Sequence, residues 1–417
     1  MTTIYIECGT TINMTTLSGI QRVVRNVLDN VDYASKKLRI KCVPVVFYNG
    51  RFHLLAKKDV FELLFNIKEK IKKYSPKILI SLLDKLLISY FLQLIFVSFL
   101  FRILINLNKN NFLLTDFISK SKDKDNILLL LDSTWNCEMW NDSERFRLLG
   151  GKVCAVLYDL IPFTHPNTVE KHTLTLHTRY WKQAPRFIDS VVCISNSVKQ
   201  DFIAMQEQGK FKGKVDPERV GFFNLGSDFV AKDPILQVLT SDLPYFLVVG
   251  TIEPRKNHAI VIDAFEKLWS SGKEANLIFV GSIGWKSEKL LKKIKTHSEY
   301  GQRFFMTHGA SDRDLIALYL NADALIMPSL AEGFGLPIVE AMRLGTKVIC
   351  SDIPIFHEIA ADHPNYFDPN DSTQLFRIIS QLLLSGNQIN SKPKKLLKKP
   401  MSWRDSTLQL LDTVRNL

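Results

Sequence analysis

The chain has 417 residues, enough for two domains of ordinary size, with 46% hydrophobic residues and a formal net charge of +12. This composition excludes wholesale disorder, and the basic balance points to acidic partners: nucleic acid, an anionic membrane surface or a phosphorylated substrate. Zinc-ligand spacings, aromatic ribonucleoprotein patterns and basic heptads are all missing from the sequence, which excludes the common nucleic-acid modules and leaves membrane and phosphosugar.

The N-terminal run Met1 to Cys8 reads as a β-strand, since it has neither a basic leader nor a long apolar core. The six cysteines, Cys8, Cys42, Cys137, Cys154, Cys193 and Cys350, form no Cys-x-x-Cys pair, and most sit in apolar runs. That usage suits a reducing cytosol. Further strands are predicted at 42–48, 127–131, 153–158 and 190–194, then at 245–249, 276–280, 303–306, 324–327 and 347–350. Helical patterns separate them, so the expected class is α/β with parallel sheets. The polar stretch 230–243, which contains Pro234, is read as a linker between two doubly wound, Rossmann-like domains facing a cleft. The expected boundaries are 1–235 and 243–400, followed by an amphipathic helix over 402–417.

Residues 57–111 depart from this repeat. Lys57, Lys58, Lys68, Lys70, Lys72, Lys73 and Lys77 lead into 86–101, a run without charge. Ser81, Lys85, Ser89 and Gln93 recur every fourth residue, which makes a helix with one narrow polar stripe. The uncharged run is shorter than the roughly 20 residues of a membrane span. The favoured reading is a helical insertion that contacts a membrane surface through 78–107; a buried core helix, a protein interface and a true span are the alternatives. A second basic cluster, Lys392, Lys394, Lys395, Lys398 and Lys399, reads as a solvated linker or a contact for anionic lipid.

The chemistry concentrates at Ala331-Glu332-Gly333-Phe334-Gly335-Leu336-Pro337-Ile338-Val339-Glu340-Ala341-Met342. A helix should begin just after Leu336, because Pro337 suits a first helical position. Strand, glycine turn and helix N-terminus direct free N–H groups and the helix dipole at one point, which favours an anion. Glu332 and Glu340 flank that point as acceptors for ligand hydroxyls. Phosphates and hydroxyls together describe a nucleotide sugar.

This stretch resembles the Glu-x7-Glu motif of retaining glycosyltransferases of the GT-B fold, family 4, including the intervening Gly-Phe-Gly-Leu-Pro. The resemblance extends to Gly250-Thr251-Ile252-Glu253-Pro254-Arg255-Lys256, where the family holds the donor diphosphate with an arginine and a lysine. It includes Leu17-Ser18-Gly19-Ile20-Gln21-Arg22, similar to a Gly-Ile-x-Arg segment near diphosphate and acceptor, and Tyr158-Asp159-Leu160-Ile161-Pro162. That last segment is similar to the His-Asp-Leu-x-Pro strand end of mannosyl- and rhamnosyl-type members, with Tyr158 in place of the histidine. Ile194-Ser195-Asn196-Ser197 and Asn224-Leu225-Gly226-Ser227-Asp228 match two further family segments, and Thr307-His308-Gly309 resembles the one beside the nucleotide base. Residues 57–111 have no counterpart.

The resemblance implies the following roles. Glu332, Arg255, Lys256 and Asp159 are catalytic. Gly19, Tyr158, Gly333, Phe334, Gly335, Leu336, Glu340 and Gly309 bind the donor. Arg22 and Ser195 face the acceptor. No metal or other cofactor is expected: Asp123-Lys124-Asp125 and Asp312-Arg313-Asp314 read as exposed loops or caps. The implied activity moves a hexose, mannose from GDP-mannose favoured, to a growing, lipid-linked surface polysaccharide on the inner face of the cytoplasmic membrane. The partners are thus a nucleotide sugar, a lipid-linked glycan and a membrane surface, without nucleic acid. Two alternatives stand beside it: a catalytically degenerate nucleotide-sugar-binding or scaffold protein, which Tyr158 supports, and a GT-B nucleotide-sugar epimerase. The final helix is expected to cross back to the first domain.

Overall fold

A computed structural model describes residues 1–13, 19–55, 113–120, 125–229, 243–385 and 400–417. The expected insertion at 57–111 with its membrane contact, nearly all of the 230–243 linker, the basic cluster at 392–399, Leu17, Ser18, and Asp123 and Lys124 of one Asp-x-Asp lie outside the described residues.

Short apolar segments that must be covered on both faces form near-continuous hydrophobic strands, as parallel sheets require. The first sheet holds β1 (Thr3–Glu7), β2 (Lys41–Tyr48), β3 (Arg51–Leu54), β4 (Asn126–Leu130), β5 (Lys152–Leu157), β6 (Ser190–Cys193) and β7 (Val220–Phe222). Their order is β3-β2-β1-β4-β5-β6-β7, and only β3 runs antiparallel, against β2. The second sheet holds β8 (Tyr245–Val249), β9 (Asn276–Val280), β10 (Phe304–Thr307), β11 (Ala324–Met327), β12 (Val348–Ser351) and β13 (Asn365–Phe367). It is parallel throughout, in the order β10-β9-β8-β11-β12-β13.

Every predicted strand has a counterpart here, displaced by a residue or so at the ends. Three strands were not anticipated. β3 follows Asn49-Gly50, both at positive φ, the residue pair that closes a tight hairpin. β7 and β13 are three-residue edge strands, too short to show a period.

The chain order reverses between β1 and β4 in one sheet and between β8 and β11 in the other. Ligands of open α/β sheets bind at such switch points, outside the carboxyl ends of the strands. The helix Trp403–Asn416 starts where Ser402 accepts a hydrogen bond from the Asp405 amide. It packs on the helix Gly19–Leu38 and adds Trp403, Leu410, Leu411 and Val414 to the first domain's core. Phe334 and Val339, from the second domain's glycine turn and its helix, join that same core.

Candidate active site

At the end of β8 the chain turns through Gly250 and enters the short turn Pro254–Lys256. At the end of β11 it runs through Ser329 to the glycine turn. The neighbouring strand ends bring Arg255, Lys256 and Glu332 together. Arg255 Nη1 donates to Glu332 Oε2 at 2.6 Å and to the Ala331 carbonyl at 2.8 Å. Lys256 Nζ pairs with Glu332 Oε1, which also accepts from Ser329 Oγ at 2.7 Å. Behind them Glu253, 2% exposed, accepts from Arg255 Nε at 3.0 Å and pairs with Nη2 at 2.7 Å. Both prongs of the guanidinium are thereby fixed, and a fork held this way meets a planar anion in register.

Burial would raise the Glu332 carboxyl, but the flanking Arg255 and Lys256 hold it down at about 2. The same burial lowers the Lys256 ammonium despite Glu332 beside it. His258, one turn further, is pushed down to about 3 by burial and by Lys256, so its imidazole is neutral. Two cations and two carboxylates thus share one largely buried cluster at the switch point.

Helix Leu336–Leu344 begins one residue earlier than anticipated, with Pro337 in its first turn and Gly335 at φ 116° before it. Glu340 lies inside this helix, 3% exposed, and accepts from the Tyr319 hydroxyl at 3.0 Å. Arg22 of the first domain reaches it at 3.2 Å, also approaches Asp312 at 3.7 Å, and lays its guanidinium over the Phe229 ring. Burial raises the Glu340 carboxyl to about 7 against the opposing pull of Arg22.

Gly333 faces the first domain at close range. A Cβ there would stand 2.2 Å from the Tyr158 carbonyl oxygen and 3.0 Å from Asp159 Cβ, so no side chain fits. Asp159 accepts from the Ile161 amide at 3.0 Å, and its charge acts on Arg255 across the cleft. Gly309, at φ 70°, follows β10 beside His308, which contacts the Gly281 carbonyl. Gly19 opens the helix that carries Arg22, with open space where a Cβ would stand.

Two sequence expectations need correction. The Tyr158 hydroxyl does not face a donor sugar: it is buried and donates to the Leu131 carbonyl at 2.6 Å. Ser195 is not directed at an acceptor. Its fully buried hydroxyl caps the helix Asn196–Glu207 and donates to the Gly333 carbonyl at 3.0 Å, tying the two domains. Arg22, expected to face the acceptor, pairs here with Glu340 and Asp312. Asp314 forms a capping box with Ser311, and among the described residues no three His, Cys, Asp or Glu side chains converge as metal ligands.

Several site residues escaped the sequence reading. Glu253 stood inside the quoted motif without a role. Glu358, from the second domain, accepts from the Asn196 and Ser197 amides at 2.7 Å each, so a carboxylate occupies that helix N-terminus. Glu7 ends β1 and Asp132 follows β4, both buried in the floor of the first domain's switch point. Glu7 accepts from the Gly9 amide at 2.7 Å, while Asp132 accepts from the Thr11 and Ser133 amides at 2.5 and 2.7 Å. Burial, reinforced by Asp132, pushes the Glu7 carboxyl up to about 8.

Two facing α/β domains with their switch points turned to a common cleft define the GT-B class. Residues 234–399 match the model of the glycosyl transferases group 1, and this part of the chain belongs to that family. It is 32% identical over 300 residues to the serotype-specific mannosyltransferase WbdA of Escherichia coli, an alignment covering 69% of this chain and 37% of that one. With the O-antigen chain mannosyltransferase RfbU of Salmonella typhimurium it shares 32% identity over 219 residues, covering 52% and 56%. The chain therefore spans well under two thirds of the length of these relatives. Its fold is similar, over the full length of both chains, to that of Anabaena HepE in complex with UDP-glucose, with a TM-score of 0.62 at 15% identity. Sucrose-phosphate synthase from Thermosynechococcus elongatus gives a TM-score of 0.60 at 14% identity, covering 100% of this chain and 99% of that one.

Proposed function

We propose that this chain is a retaining hexosyltransferase that moves mannose, from GDP-mannose, to a growing lipid-linked surface polysaccharide. The observation that carries the reading is the Arg255–Lys256–Glu332 cluster at the switch point of the second domain. Glycosyl transfer leaves negative charge on the departing diphosphate, and cations fixed beforehand stabilise that charge without reorganising. Arg255 offers a bidentate fork and Lys256 a point charge, so in this reading the protein supplies what a metal would otherwise contribute. Glu332 releases the cations to the diphosphate and turns to the hydroxyls of the donor sugar; Glu340 takes the ribose as Arg22 withdraws. Asp159, across the cleft, orients the acceptor hydroxyl.

The choice of mannose and of a surface polysaccharide is supported by the mannosyltransferases to which the chain is similar. The choice of a lipid-linked acceptor at the inner membrane face rests on the basic and uncharged sequence of 57–111. Among the described residues no helix is long and apolar enough to cross a membrane.

A panel of nucleotide sugars, read by thermal shift and by nucleotide release with and without membrane extract, tests the proposal. Saturable stabilisation by GDP-mannose with extract-dependent release is the expected outcome. Stabilisation without turnover would favour a binding protein, and product formation without any acceptor would favour an epimerase.

A further inference from the structure

The first domain carries a recess of about 300 Å³ that the chemistry above does not use. Six of its lining residues are Trp135, Glu138, Trp140, Asn141, Arg179 and Gln183. Both tryptophans are half-buried, so each ring is anchored in the protein and keeps part of its surface open. Trp140 is stacked on Phe187, with centroids 5.3 Å apart and an interplanar angle of 15°, and leans on Tyr180 at 4.7 Å. Its ring plane is thereby locked. Glu138 and Arg179 form an ion pair at the recess, so its charge is balanced and it selects neither cations nor anions.

The recess belongs to the cleft edge of the domain. Trp135 lies in the turn Thr134–Asn136 that follows β4, three residues beyond Asp132. Its ring stands 5.3 Å from that of His177, on which the charge of Asp159 acts. Arg179 and Gln183 also line a second groove, of about 420 Å³, along the helix Lys171–Gln183. The recess and the groove thus lie side by side, with Arg179 and Gln183 common to both.

Rigid aromatic faces, paired with a carboxylate, a guanidinium and two amides, match one ligand chemistry. A pyranose ring presents C–H faces that pack on the electron-rich face of an indole, and a rim of hydroxyls that donate to carboxylates and accept from guanidinium and amide N–H groups. The volume is at the lower end of small-molecule sites, and the adjoining groove suits a chain of rings rather than a single one. We propose that this recess is an acceptor subsite for a neutral hexose oligosaccharide, with Trp135 and Trp140 as stacking platforms and Glu138, Asn141, Arg179 and Gln183 as hydroxyl partners. The proposal rests on the transferase reading for the word acceptor; the binding of the glycan does not.

The test uses the full chain and an α-linked mannotetraose as probe. Titration without any donor, followed by tryptophan fluorescence, should give a saturable change. Trp140→Ala should abolish it, and Arg179→Ala should weaken binding at least tenfold. In transfer assays Arg179→Ala should raise the tetraose KM at least tenfold while the nucleotide-sugar KM moves less than twofold. Arg179 is exposed, so that variant carries the test where Trp140→Ala does not fold. No fluorescence response in the wild type, or transfer with an unchanged tetraose KM in both Arg179→Ala and Glu138→Gln, overturns the subsite. Tetraose binding without turnover of any nucleotide sugar leaves the subsite standing and removes the transferase reading instead.

Discussion

The two faces of the cleft are built on different plans. The second domain's face is ionic and local: Arg255, Lys256, Glu253 and Glu332 come from two neighbouring strand ends and pair with one another in a single cluster. The first domain's face places two buried carboxyls, Glu7 and Asp132, beneath a backbone turn, with an aromatic recess beside them. A face that must stabilise the same leaving diphosphate in every turnover requires fixed cations. A face that must recognise one glycan among many needs shape and hydroxyl partners. In the reading proposed above, the second domain supplies the chemistry and the first the selectivity.

The sharpest way to break that division is to remove the cations. Arg255→Ala combined with Lys256→Ala should lower kcat by about 10³-fold or more, the scale seen when groups stabilising developing charge are deleted. Steady-state transfer measures it, and a loss below tenfold would move the chemistry elsewhere. Next in size is the contact between the faces. Gly333→Ala places a methyl group against the Tyr158 carbonyl, so the glycine turn or the strand end facing it must shift. We expect kcat/KM to fall by about 10- to 100-fold, in line with the sensitivity of catalysis to misplacement, with a small change in thermal stability. A large loss of stability at wild-type activity would make Gly333 a packing residue only.

The smallest effect sharpens the comparison from the other side. The Glu7 carboxyl is raised from its ordinary value of 4.5 to about 8 in the folded protein. The folded state then holds a proton that the unfolded state has released, so stability falls as pH rises from about 4.5 to about 8. Glu7→Gln should flatten that slope in denaturant titrations at pH 5, 6.5 and 8. A slope equal to that of the wild type would mean that Glu7 is ionised throughout.

Much of this was legible in the sequence, and the reason is distance along the chain. The strands were readable because doubly covered parallel strands are continuous apolar runs, whereas β7 and β13 are too short for that signal. Arg255, Lys256, Glu332 and Glu340 sit within two short motifs, and the resemblance of those motifs to a known family singled them out. The contacts between domains were not legible. Ser195 reaches Gly333 across 138 positions and Glu358 reaches Asn196 across 162. A serine at a strand end can cap the next helix or face a ligand, and its own neighbourhood in sequence does not distinguish the two. Tyr158 posed the same problem: only the folded chain brings the Leu131 carbonyl to its hydroxyl. The aromatic recess draws on Trp135, Trp140 and Arg179, which share no motif at all.

The packing of helix Trp403–Asn416 on the first domain has a consequence for how the protein is made. Trp403, Leu410, Leu411 and Val414 belong to the core that also contains Ile4 and Ile6 of β1. On the ribosome, the first domain therefore waits with a gap in its core until the entire second domain has been translated. At ~5–20 residues per second that wait is on the order of ten seconds or more. During it, the apolar face of the helix Gly19–Leu38 lacks the covering that Trp403–Asn416 provides.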